Sequence, residues 1–286
     1  MVVHQILSSW RPLLALVVSV TLAFQLASAQ PRSLDDAAAF LAPSAKLFVP
    51  SGPGPHPVFI YHHGCKLLLS HRDLWGEFFA NNGYAMLAID SFAPRGLEAF
   101  DQQLICSGAF FRGSERAGDT LAALHMIQND LGVPPGLLDR SRIGVIGFSH
   151  GGWTTMDALA QAKLGVTSGS VSVTSSQHRE LIEGINALVL MYPWCGLFSR
   201  TGEAKGWDRI PPTLFLRPQR DGVVHNFCDD AIDTLQGLTG PGHVVNQTTS
   251  GSGHAYDEPD GVFIPFEAEA TAETQNLILR FLERVW

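Results

Sequence analysis

Positive charge is scarce. The 286-residue chain has 19 lysines and arginines against 27 aspartates and glutamates, a net charge of −8. No basic run concentrates the few cations it has. Nucleic acids and anionic membranes are held chiefly by clustered Lys and Arg, so neither is expected as a partner. Charged residues of either sign reach only 16%, against 45% apolar. That excludes a disordered chain and leaves a globular protein with a sizeable core. Internal repeats and low-complexity tracts are also missing. So are the metal-binding spacings C-x-x-C and H-E-x-x-H.

Long apolar runs are nearly absent as well. The exception is "LLALVVSVTLAFQLA", which follows Arg11 and ends in "ASA". It is about 15 residues long, short of the roughly 20 that a spanning helix needs. A charged start, a short apolar run and a small-x-small end read as a secretory signal peptide, residues 1–29. Cleavage is expected between Ala29 and Gln30, leaving residues 30–286 as one domain. The expected location is secreted or periplasmic, with no stable membrane anchor.

Cysteines number only four: Cys65, Cys106, Cys195 and Cys228. An even count in an exported chain suggests two disulfides.

Past the loop-like "VPSGPGPHP", residues 49–57, which reads as a turn between two strands, the chain alternates. Apolar strands are expected at 58–62, 84–90, 142–149, 186–193, 212–218 and 242–249. Amphipathic helices are expected at 72–83, 115–132, 150–163, 226–238 and 268–285. This alternation predicts an α/β protein, a mainly parallel sheet with helices on both faces. In such sheets ligands bind beyond the carboxyl ends of the strands.

"GFSHG", residues 147–151, matches G-x-S-x-G between an expected strand and an expected helix. A sharp turn there exposes the Ser149 hydroxyl. A serine hydroxyl needs a base, and the base needs an orienting acid. His254, in the Gly-rich "TSGSGHAYD", is the candidate base, with His225 its main competitor. Asp221, after the 212–218 strand, is the candidate acid, with Asp229 or Asp230 as fallback. The oxyanion donors are expected to be the backbone N–H of His150 and that of Cys65, in "HHGC".

Each cysteine follows the carboxyl side of a strand, and consecutive strands are expected to be neighbours. This favours Cys65–Cys106 and Cys195–Cys228. His62, His63, Cys65 and His71 raise the thought of zinc. Strand alternation points His62 and His63 to opposite faces, which argues against a shared ion. No metal site and no cofactor are expected.

Taken together, "HHGC", "GYAMLAIDSFAPRG", "RIGVIGFSHGGW", "YPWCG" and "GSGHAYD" resemble the dienelactone hydrolase family. The likeness spans roughly residues 45–285 and is nearest to exported bacterial members with a serine nucleophile. It implies an α/β-hydrolase fold without a large cap domain. It also implies nucleophile Ser149, base His254 and acid Asp221. The family's best-known members have cysteine at the nucleophile and a glutamate in the oxyanion loop, where this chain has "HGC".

The expected function is a carboxylic-ester hydrolase acting on a small-molecule ester or lactone through an acyl-enzyme. The alternatives are a peptidase or amidase of the same fold and a non-catalytic exported binding protein. Residues 91–114 read as a long pocket-wall loop. In it Arg95 or Arg112 could bind a substrate carboxylate, or Arg95 could simply brace the loop.

Overall fold

The computed structural model describes residues 31–286 apart from 131, 133, 225, 262 and 263. The expected signal peptide and the competitor His225 lie outside the described residues.

Among the described residues seven strands form one sheet: β1 Lys46–Phe48, β2 His56–His62, β3 Ala85–Ile89, β4 Leu138–Phe148, β5 Ile185–Met191, β6 Thr213–Pro218 and β7 Val244–Thr249. Their order is β1-β3-β2-β4-β5-β6-β7. Every pairing is parallel except β1 with β3 at one edge. Strands buried on both faces are mostly apolar, and β2 is buried at all seven positions, with His56 and His62 at its ends.

Nine helices accompany the sheet among the described residues. They are α1 Leu34–Leu41, α2 Leu69–Asn81, α3 Ala99–Cys106, α4 Gly113–Gln128, α5 His150–Leu164, α6 Ser175–Glu183, α7 Arg200–Ala204, α8 Asp229–Thr239 and α9 Ala268–Val285. Two cores result. Val58, Ile60 and Val145 pack with Leu121 of α4 and Met156 of α5 on one face. Phe59, Tyr61 and Phe148 pack with Trp75 of α2 and Ile278 of α9 on the other. The period of two along β2 sorts its side chains between them. Each fully buried large side chain contributes roughly 1.5–3 kcal/mol.

Residues 91–114 are not simply a loop, because α3 lies inside them. The amide of Glu98 donates to the Asp101 carboxylate at 2.9 Å, which fixes the first turn. Cys106 ends the helix and is joined to Cys65. Cys195 is joined to Cys228. Both pairings are those implied by the strand ends. With partners separated by 41 and 33 positions in the sequence, each bridge contributes about 4 kcal/mol in the chain-entropy model.

The short elements α1, α6 and α7 have no counterpart among the expected elements, and β1 is implied only as an unbounded strand before the 49–57 turn. β1 is three residues long, too short for a periodic signal.

Candidate active site

β4 runs into α5 with one residue between them. That residue, Ser149, has φ +49° and ψ −110°. An L-residue adopts such a backbone at a cost of roughly 1–3 kcal/mol. Close packing on both sides keeps the turn tight. A Cβ on Gly151 would stand 2.2 Å from the His62 carbonyl oxygen, and one on Gly147 would stand 2.6 Å from the Gly151 oxygen. Neither position can carry a side chain without moving backbone.

The loop after β7 brings His254 to this turn. Its Nε2 lies 3.0 Å from Ser149 Oγ, and its Nδ1 lies 2.8 Å from Asp221 Oδ2. Asp221 sits in the loop after β6. Its Oδ1 accepts the amides of Val223 and Val224 at 2.8 and 2.9 Å, so one oxygen anchors the carboxylate and the other faces the imidazole. Burial pushes the Asp221 carboxyl up. His254 and the two amides outweigh it and leave the group below the usual carboxylate range. The Arg220 amide donates to the Ser252 carbonyl at 2.8 Å and ties the acid loop to the histidine loop. An alcohol, an imidazole and a carboxylate in this order can move a proton off the alcohol as it attacks.

Cys65 and His150 border the same cavity as Ser149, and neither backbone amide has a hydrogen-bond partner among the described residues. The amide of His150 opens α5, where the helix dipole favours negative charge.

The other candidates fall elsewhere. Asp229 pairs with Arg217, and Asp230 is exposed. His178 and His243, the other described histidines downstream of α5, are hydrogen-bonded to the carbonyl oxygens of Ala158 and Ile210. Arg95 holds Asp119 through two nitrogens, at 2.7 and 3.1 Å, and also donates to the Ser91 carbonyl. It lines neither cavity beside Ser149, so the brace, and not the carboxylate clamp, describes its position. Arg112 lies over the Phe198 ring at 3.7 Å and donates to the Gly108 carbonyl.

The four residues that suggested zinc are spread over different tasks. Cys65 is disulfide-bonded, His62 is bonded to Thr120, His63 to the Gly64 carbonyl, and His71 to Asp257.

Two buried groups escaped the sequence reading. The first is Arg116 of α4, which is fully buried. Its Nη1 donates to the His63 carbonyl at 2.8 Å and to His150 Nδ1 at 3.2 Å, and its Nε donates to Ser91 Oγ at 2.7 Å. Burial pushes its pKa down to about 10, so it is still a cation at neutral pH. His150 is held well below the usual imidazole range by burial and then by Arg116. One cation therefore touches both segments that carry the unpartnered amides.

The second is Asp257, three residues after His254 and fully buried. Its carboxylate receives Trp75 Nε1 at 2.9 Å, His71 Nε2 at 3.0 Å and the Tyr192 hydroxyl. The Tyr192 ring in turn packs edge-on to His254 at 4.8 Å. Burial pushes the Asp257 carboxyl up, but His71, Tyr192 and Trp75 together leave it below the ordinary value. A carboxyl lowered in the folded state contributes stability above its unfolded pKa. That contribution is lost as pH falls through the folded pKa. Asp257→Asn is therefore expected to be less stable at neutral pH by about 1–3 kcal/mol, since one buried donor loses its acceptor. Its stability should also fall less than that of the wild type between pH 5 and pH 2. Urea denaturation across that range measures both effects.

Two cavities open beside Ser149 and His254. One, of about 170 Å³, is bounded by Lys66, Tyr192, Glu258 and Asp260. The other, of about 450 Å³, is bounded by Ile105, Trp153, Trp194, Leu197, Phe198 and Val223.

No family model matches the chain. Two curated relatives, acylamino-acid-releasing enzymes 2 and 1 of Oryza sativa subsp. japonica, are each 30% identical, over 123 and 109 residues. Those stretches are 42% and 38% of this chain but only 15% and 12% of the relatives' own length. Among solved structures, a dienelactone hydrolase-like promiscuous phosphotriesterase from metagenomic libraries has a TM-score of 0.62 at 14% identity. The match covers 84% of this chain and 92% of that one. Thermogutta terrifontis esterase 2, phosphonylated by cyclosarin, has a TM-score of 0.61 at 15% identity, covering 84% and 88%. At these identities the likeness shows the fold, and that fold is the α/β-hydrolase fold of dienelactone hydrolase-like structures.

Proposed function

We propose that the protein is an exported serine hydrolase that cleaves carboxylic esters or lactones. One observation carries the reading: the Ser149–His254–Asp221 hydrogen-bond chain lies beside two unpartnered amides. Ser149 Oγ attacks the acyl carbon while His254 Nε2 takes its proton. The imidazolium is stabilised by Asp221. The oxyanion is met by the N–H groups of Cys65 and His150 at the start of α5. His254 returns the proton to the leaving alkoxide, and an acyl-enzyme remains. Water, deprotonated by His254, then releases the acid. The sequence likeness to exported dienelactone hydrolases supports this reading, as do the esterase names among the fold neighbours. The signal-like run and the two disulfides support export.

A peptidase or amidase is the second reading, since the same groups serve amides. The partial likeness to the rice acylamino-acid-releasing enzymes favours it. Side-by-side turnover of p-nitrophenyl acetate and p-nitroacetanilide separates the two. The ester is expected to be hydrolysed and the anilide to stay at background. Comparable kcat/KM on both would favour the amidase.

A further inference from the structure

We infer that the preferred substrate is an ester of two unlike halves, a neutral aromatic group in the larger cavity and a short group in the smaller. The inference rests on the esterase reading above and adds the substrate class.

The volumes set the asymmetry. At about 450 Å³ the larger cavity falls within the roughly 300–1,000 Å³ of pockets that hold drug-sized ligands. At about 170 Å³ the smaller one barely exceeds the roughly 150 Å³ that accommodates a bare benzene, which leaves too little room for a ring together with its two-carbon linker. Both reach Ser149 and His254, so one ester straddling the nucleophile can place one half in each.

The linings set the chemistry. Trp153, Trp194 and Phe198 give the larger cavity three aromatic rings, and Ile105, Leu197 and Val223 add aliphatic surface. Among the described residues no carboxylate or guanidinium borders it; Arg95 and Arg112 are turned to protein partners. Lys66 stands on the boundary and borders the smaller cavity too, where Glu258 and Asp260 carry the opposite charge. A carboxylated substrate half therefore finds no bidentate clamp in the larger space. Leu197 is 71% exposed, Val223 52% and Phe198 47%. An aromatic substrate half would remove this apolar wall from water.

The wall is built rather than loose. Trp194 Nε1 donates to the Leu197 carbonyl at 3.1 Å, and Phe227 packs edge-on to Trp194 at 5.1 Å. Trp153 Nε1 donates to Asp157, which also accepts the Arg200 amide at 2.7 Å and so anchors the 194–200 segment to α5. The Cys65–Cys106 disulfide borders the larger cavity, and the Cys195–Cys228 disulfide follows directly on Trp194. A preformed aromatic slot loses little order when it is filled.

The test uses four esters followed by pH-stat: ethyl acetate, 2-phenylethyl acetate, ethyl 3-phenylpropanoate and 2-phenylethyl 3-phenylpropanoate. One of the two singly aromatic esters is expected to exceed ethyl acetate in kcat/KM by ~10-fold or more, the scale of added apolar contact in a fitted pocket. The doubly aromatic ester is expected to fall below that one, since one of its rings must enter the smaller cavity. Trp194→Ala, and separately the exposed Leu197→Ser, should shrink the ratio of the preferred aromatic ester to ethyl acetate. Three results would overturn the inference while leaving the esterase reading intact. They are no aromatic advantage, the doubly aromatic ester as best substrate, or an unchanged ratio in both variants. No hydrolysis of any of the four esters or of p-nitrophenyl acetate would sink the esterase reading itself, and the inference with it.

Discussion

Ser149→Ala is expected to lower kcat on p-nitrophenyl acetate by roughly 10⁴- to 10⁶-fold while leaving the thermal transition nearly unchanged. Ser149 Oγ is the atom held by His254, and no second hydroxyl stands in that position. Residual activity should reflect the amides of Cys65 and His150 and the bound geometry, which do not depend on the hydroxyl. The backbone at Ser149 is strained with φ +49°, and alanine keeps a Cβ there, so the strain stays the same. Steady-state kinetics beside a thermal melt reads both parts. Retention of most of the activity would remove Ser149 from the reaction.

Arg116→Met should reduce kcat by about 10²-fold with a smaller change in KM, because it acts on the proposed oxyanion donors and not on substrate binding. Arg116 holds the carbonyl of His63, two residues before Cys65, and the ring of His150, the other donor residue. Removing it frees both segments at once. Asp119 would not be orphaned, because Arg95 already grips it through two hydrogen bonds. The His63 carbonyl and Ser91 Oγ would lose a charged donor, so a stability loss of roughly 1.5–3 kcal/mol per bond should accompany the kinetic effect. Arg116→Lys keeps the charge but not the planar fork, and is expected to fall between wild type and Met. If Arg116 were only structural, both variants would melt earlier with kcat unaffected in the folded protein.

How far the sequence discloses this architecture depends on how local each signal is. Continuous apolar strands and glycine-stopped helices mark the sheet because each depends on a few consecutive residues. The turn at Ser149 is marked because Gly147 and Gly151 must lack side chains at fixed offsets from it. His254 and Asp221 are reachable because the parallel order puts their loops after β7 and β6. Arg116 gives no such signal. Its partners, His63, Ser91 and His150, come from three separated segments. Asp257 gives only a faint one, an acidic residue three places after the histidine, and its partners Trp75, His71 and Tyr192 are again remote. The same holds for the pocket wall. The 91–114 segment, read as a pocket wall, supplies Ile105 and Cys106, whereas the rings come from Trp153, Trp194 and Phe198, because Asp157 and the second disulfide fold the 194–200 segment over α5. Contacts between distant segments follow from packing, which no local pattern encodes.

Ser149 is proposed to be a nucleophile activated by His254. The most direct test is the intact mass of the folded protein after treatment with a fluorophosphonate, with peptide mapping of the adduct. One adduct on Ser149 is expected in the wild type, and none in Ser149→Ala or His254→Ala. A folded wild type that stays unmodified, or an adduct on another residue, would contradict the claim.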